Sequence, residues 1–255
     1  MPKEQNSSLA PRCFAVALLG LAAPIYAAHP LLTDDTATQG ADRWQLEVNT
    51  DHTRERAAGI TAWERHLDAT LTRGLSDDFD VAVSLPWLRL SETGAPSESG
   101  VGDVALLAKW RFFDNGQGWT LGLRPQLTLP TGSRSRGLGN GRATAALTLL
   151  STYESAAWTW LANAGYVYND NPIGDRKHLW TASAAALVKL AERWTLAVDA
   201  GASRAADPTD GRERYGLVGV IHHLGDDLDL DLGWRRSVAG GVATYTLGAG
   251  MTLRW

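Results

Sequence analysis

From residue 246 to the C-terminus the side chains alternate without a break. Leu247, Ala249, Met251, Leu253 and Trp255 fall on one face, and Thr246, Gly248, Gly250, Thr252 and Arg254 on the other. A period of two belongs to an extended strand, and an amphipathic helix cannot produce it. The pattern recurs along the chain. Leu228, Leu230, Leu232 and Trp234 oppose Asp227, Asp229, Asp231, Gly233 and Arg235. Trp44, Leu46 and Val48 oppose Arg43, Gln45, Glu47 and Asn49. Trp119, Leu121, Leu123, Leu127 and Leu129 oppose Thr120, Gly122, Arg124, Gln126 and Thr128. Carried throughout, the alternation predicts about twelve strands, near 43–53, 61–73, 79–90, 102–113, 118–130, 142–153, 157–168, 178–190, 193–204, 213–223, 227–237 and 242–255. Their lengths suit the ~10 residues that a tilted membrane strand needs.

The links between these segments alternate too. Longer ones follow the odd-numbered strands (54–60, 91–101, 131–141, 169–177, 205–212), only the last of that set, 238–241, being brief, and tight ones follow the even-numbered strands. Short turns opposite long loops are how outer-membrane barrels are built. The 11 tryptophans sort by height under this topology. Trp44, Trp110, Trp119, Trp158, Trp160, Trp194 and Trp255 fall at the tight-turn ends, and Trp63, Trp87, Trp180 and Trp234 at the long-loop ends. Indole rings favour the headgroup level of a membrane, so two girdles are expected. The fold class is therefore all-β: a transmembrane antiparallel up-and-down barrel. A water-soluble sandwich with tryptophans in its core shares the periodicity but not the height sorting.

The N-terminus has the layout of a secretory signal peptide: basic Lys3 and Arg12, an apolar run from 14 to 23, then small residues around Ala27. Cleavage after Ala27 gives three parts: a signal peptide (1–27), a periplasmic N-terminal segment (28–42) and an outer-membrane barrel (43–255). The formal net charge of −4 becomes one unit more negative once Lys3, Glu4 and Arg12 leave. An acidic chain gives no electrostatic reason to bind nucleic acid. The sole cysteine, Cys13, lies in the signal, so the mature chain has no disulfide and no thiolate metal site.

The stretch from Gly100 to Gly141 reads GVGDVALLAKWRFF, then WTLGLRPQLTLPTG, then GLGNG, and the mature chain would begin HPLLTDDTATQGADRWQLE. GDV, LPTG and GLG in this order resemble the outer-membrane transporter family named for the meta-pathway of phenol degradation, across essentially the whole mature chain. The resemblance implies an outer-membrane barrel linked to aromatic catabolism. It supplies no catalytic residues. Outer-membrane phospholipases, also twelve-stranded, place a His and a Ser two residues apart, and no such pair occurs here.

With apolar residues outward, the inner face collects the polar set. Lys109, Arg111, Arg124, Gln126, Glu47, Glu64, His66, Asp199, Asp229, Asp231 and Arg235 are expected to line the lumen, with Asp51, Asp68 and Asp80 beside them. Either they form a salt-bridged plug or they line a narrow polar channel. The cations Lys109, Arg111 and Arg124 and the acids Glu47, Asp229 and Asp231 should lie on different walls, setting a transverse field across the lumen. Arg43 and Arg254 should meet Asp227 or Asp229 at the seam that Trp255 closes. No catalytic group, cofactor or metal site is expected. The His222–His223 pair is expected at the periplasmic rim, and Asp170, Asp175, Asp207 and Asp210 are expected in external loops as turn formers. The sequence thus points to a channel in the bacterial outer membrane for passive uptake of small molecules. Its partners would be lipid, a small solute and the barrel-assembly machinery. A lipid-modifying barrel enzyme and a structural barrel without transport are the alternatives.

Overall fold

The computed structural model describes residues 29–255, so the expected signal peptide lies outside the described residues. Thirteen strands follow: β1 (Trp44–Ala57), β2 (Ile60–Ser76), β3 (Phe79–Glu92), β4 (Glu98–Val101), β5 (Ala105–Asp114), β6 (Trp119–Thr128), β7 (Thr144–Glu154), β8 (Trp158–Tyr168), β9 (His178–Ala191), β10 (Trp194–Arg204), β11 (Arg212–His223), β12 (Leu228–Ala239) and β13 (Val242–Arg254). All pairings are antiparallel, and β1 pairs with both β2 and β13. With β2 on β3 and β3 on β5, twelve strands close into a barrel, while short β4 lies against the upper part of β3. Closure removes every free edge within the ring, as a lipid environment demands.

The alternation sets which side faces out. Leu85, Leu232 and Leu247, in the middle of their strands, are 53%, 49% and 54% exposed, which suits a lipid-facing wall and not a soluble sandwich. The opposite parity is buried and polar: Asp68, Thr70, Ser84, Arg124, Thr148 and Asp199 all face inward. The tryptophans stand on the outer side at both ends. Trp44 stacks on Trp255 across the seam with centroids 6.5 Å apart, and Trp158 on Trp160 at 5.4 Å.

One connection departs from the sequence expectation. Residues 54–57 continue β1, and the link to β2 is only Ala58–Gly59, both at positive φ (49° and 83°). A two-residue turn of this kind matches the strand twist but requires left-handed backbone, and Ala58 adopts it without the usual Asn or Asp. The first and last long-loop-end connections are therefore tight hairpins, the last through Gly240 and Gly241. The true long loops lie between. Leu138 of the loop after β6 is buried at the Leu88 and Pro86 side of the wall, near Gly100 and Gly102. Arg176 ties two others by donating to the carbonyls of Ala205, Asp210 and Pro208.

Candidate functional site

The sequence predicts a periplasmic segment over 28–42, outside the barrel strands. In the structure, its described part, residues 29–42, enters the barrel and crosses the lumen. It leaves at the tight-turn end, where Asp42 N donates to Gly74 O at 3.0 Å and Gly74 N to Arg43 O at 2.9 Å. Inward from there, Gln39 N meets the Asp80 carboxylate at 3.0 Å, and Thr36 N meets Thr152 Oγ1 at 3.0 Å. The chain then spans the barrel, from the β5–β6 wall at Asp34 to the β12–β13–β1 wall at His29.

Three clasps hold it. On the first wall, Lys109 Nζ donates to Asp34 Oδ1 at 3.0 Å and to Asp35 Oδ1 at 3.3 Å, and Arg124 Nη1 donates to Asp34 Oδ2 at 2.6 Å. In the middle, Asp199 of β10 accepts the backbone N–H groups of Leu32 (2.7 Å) and Thr33 (2.8 Å), the Thr33 hydroxyl (2.7 Å) and the Tyr215 hydroxyl (2.9 Å). Four charge-assisted bonds on one carboxylate offset its burial. Leu31 packs beside this clasp with Leu161, Ala185, Ala197 and Leu217. On the far wall, His29 sits between Asp231 and Asp51, bonded to Asp231 and 3.7 Å from Asp51.

The far wall is shaped to receive the chain. A Cβ on Gly219 or Gly233 would stand 2.5 Å or 2.6 Å from Pro30, and one on Gly248 or Gly250 would stand 2.7 Å or 2.8 Å from the His29 ring. Inward glycines on three adjacent strands thus form a trough that any side chain would fill.

The predicted lumen residues therefore divide by role. Lys109, Arg124, Asp199 and Asp231 hold the segment. Arg111 pairs with Asp78 at 2.7 Å at the tight-turn end. Gln126 donates to Thr128 at 3.3 Å. Glu64, His66 and Arg235 face inward on β2 and β12, toward the long-loop end. The expected transverse field is replaced by local neutralisation, because Asp34 and Asp35 stand against two of the three cations, Asp78 against the third, and His29 against Asp231. At the seam, Arg254 Nη1 reaches Asp229 Oδ2 at 2.8 Å and Arg43 reaches Asp227 at 3.8 Å. His222 and His223 face opposite sides: His222 stacks on Trp194, and His223 bonds Asp229 at 2.6 Å. In the loops, hydrogen bonds from Lys177 and Arg142 hold the Asp170 carboxyl below the usual carboxylate range.

Below the segment, a cavity of about 390 Å³ lies between residues 34–39 and the β1–β2–β3–β5 wall. Glu47, Asp80, Lys109 and Arg254 line it, and Asp226 and Asp227 mark its mouth at the tight-turn end. Glu47 Oε1 is buried there without a hydrogen-bond partner.

A family model described as "Putative MetA-pathway of phenol degradation" matches residues 33–255. No curated protein matches the sequence. Among solved structures, the COG4313 outer membrane channel from Pseudomonas putida F1 is similar in fold (TM-score 0.73, 18% identity, 87% of this chain and 98% of that one). The NanC porin (TM-score 0.57, 8% identity, 81% and 98%) and the translocator domain of autotransporter NalP from Neisseria meningitidis (TM-score 0.52, 12% identity, 85% and 89%) share the barrel at lower similarity.

Proposed function

Because the chain belongs to the phenol-degradation family whose model spans residues 33–255, we propose that it is a passive channel of the bacterial outer membrane for small molecules, aromatic compounds among them. The supporting observation is a lumen that is occupied but not filled. A segment held by a few polar clasps stands over a cavity of about 390 Å³, in the range of ~300–1,000 Å³ that small-molecule sites occupy. That cavity carries both charge signs beside Ala82 and Leu107, a lining suited to a ring bearing a carboxylate or hydroxyl. In this reading the long loops face outside and the cavity opens to the periplasm. Lipid surrounds the wall, and the assembly machinery engages the strand ending at Trp255.

The lipid-modifying alternative would need a nucleophile beside a base on the outer wall. Of the three outward histidines, His178 is engaged by the Tyr166 hydroxyl at 2.6 Å, His222 stacks on the Trp194 ring, and His52 stands opposite Arg65, a cation and not a nucleophile. The reading is tested by solute uptake into liposomes carrying the purified protein, across aromatic acids, phenols and sugars. Faster entry of single-ring aromatic acids than into protein-free liposomes supports it. Rates equal to protein-free liposomes for every solute would overturn it in favour of a reading without transport.

A further inference from the structure

We propose that the outward arginines at the long-loop end of the barrel form a docking surface for the phosphate groups of phosphorylated glycolipid in the outer leaflet. Arg54 and Arg56 on β1, Arg65 on β2, Arg89 on β3, Arg204 on β10, Arg212 and Arg214 on β11 and Arg236 on β12 are all exposed and all on the lipid-facing parity. With β13 between β12 and β1, these strands are consecutive in the ring. The surface is one continuous arc, and it goes beyond the transport reading, sharing with it only the orientation of the loops.

The register makes this arc costly unless an anion covers it. Arg65 stands directly opposite Arg89 and beside His52, and Arg204 stands directly opposite Arg212. Like charges facing each other across strands destabilise a sheet. No acidic side chain relieves them, because every Asp and Glu within β1, β2, β3, β10, β11 and β12 has the inward parity. Among the described residues none of these arginines has an acidic partner. Arg212 lies over the Trp180 ring at 5.8 Å, and Arg204 donates to the His178 carbonyl at 3.3 Å.

Height and geometry point to a headgroup. Arg89 and Arg236 lie two residues beyond the outward Trp87 and Trp234, and Arg54 is directly opposite Trp63. Indoles mark the interface, and the register puts Arg65 and Arg89 between the heights of Trp87 and Trp63 and Arg54 level with Trp63, so the guanidinium groups lie in the interfacial layer and reach the headgroups on long apolar stems. The guanidinium fork matches phosphate oxygens two at a time. The remaining rim is different in kind: Leu127, Leu147, Tyr166 and Tyr168 face lipid there. Cations over that part of the rim lie in loops, where Arg136 is matched by Glu98 and Arg142 and Lys177 by Asp170, whereas the strand arginines of the arc have no such acids.

The experiment uses the full purified protein in dodecyl maltoside with three probes: diphosphoryl lipid A, the same lipid with both phosphates removed, and inorganic phosphate. Native mass spectrometry reads retained lipid. Diphosphoryl lipid A should bind at least about tenfold more tightly than its phosphate-free form, as charged hydrogen bonds of this kind would give. The R65Q/R89Q/R204Q/R212Q variant should lose that preference, and the matching lysine variant should keep part of it. Equal retention of the two lipids by the wild type would overturn the proposal even if the glutamine variant does not fold. Competition by inorganic phosphate at equal concentration, or a folded glutamine variant that keeps the preference, would overturn it as well.

Discussion

Arg124 donates Nη1 to Asp34 Oδ2 at 2.6 Å, and both side chains are almost wholly buried. One partner belongs to the barrel wall and the other to the segment that crosses the lumen, so this ion pair joins fold to function. Removing one member of a buried pair costs about 3–5 kcal/mol, because the other is left uncompensated. Asp34→Ala should therefore free the first clasp without harming the outer wall. Single-channel recording should show higher conductance, and limited proteolysis should cut between residues 29 and 42. The K109A/R111A/R124A variant should also conduct more, since it strips Asp34 and Asp35 of their partners. Unchanged conductance and ion selectivity in both would count against the clasp.

Asp199 gathers two backbone amides and two hydroxyls. Asp199→Ala should expose the Leu32 and Thr33 amides, raising their hydrogen exchange by about tenfold or more if two bonds of about 1 kcal/mol each are lost. Asp199→Asn keeps one acceptor oxygen and should fall between. Exchange at wild-type rates in the alanine variant would show that the middle of the segment is held elsewhere.

Gly233 isolates the role of the trough, because Pro30 is all that an added Cβ would meet closely, at 2.6 Å. Gly233→Ala should displace residues 29 and 30 while the barrel still forms. Hydrogen exchange at the Leu31 and Leu32 amides should rise, with the heat-modifiable band on a gel unchanged. Exchange at the parent's rate would refute the steric account.

Trp255 closes the seam twice, by stacking on Trp44 and by exchanging backbone bonds with it at 2.9 Å and 3.0 Å. Deleting Trp255 should lower the yield of folded barrel severalfold, while the molecules that do assemble conduct as the parent does. Normal heat-modifiable barrel at normal yield would contradict this.

The wall was legible in the sequence because a strand's period of two carries its own orientation. Lys109, Arg124, Asp199 and Asp231 could be placed inside from parity alone. Arg54 and Arg56 read as loop residues in the sequence, since Ala58–Gly59 lacks the Asn-Gly or Asp-Gly signature of a tight turn. The segment 29–42 was missed for a physical reason: it has no period, and its bonds run to residues as far as 202 positions away. Two signals pointed to it. Arg124 is a buried cation whose cross-strand neighbour is Thr148, not an acid, and Gly219, Gly233, Gly248 and Gly250 recur at inward positions where a wall would otherwise carry side chains.

The central claim is that the segment inside the barrel limits the path through it. Its most direct test is ion conductance in planar bilayers of the parent protein beside a variant lacking residues 33–40. The account predicts small openings for the parent and openings several times larger for the deletion, with aromatic-acid entry into liposomes rising in parallel. Equal conductance in the two proteins, with the deletion folded by its heat-modifiable band, would contradict it.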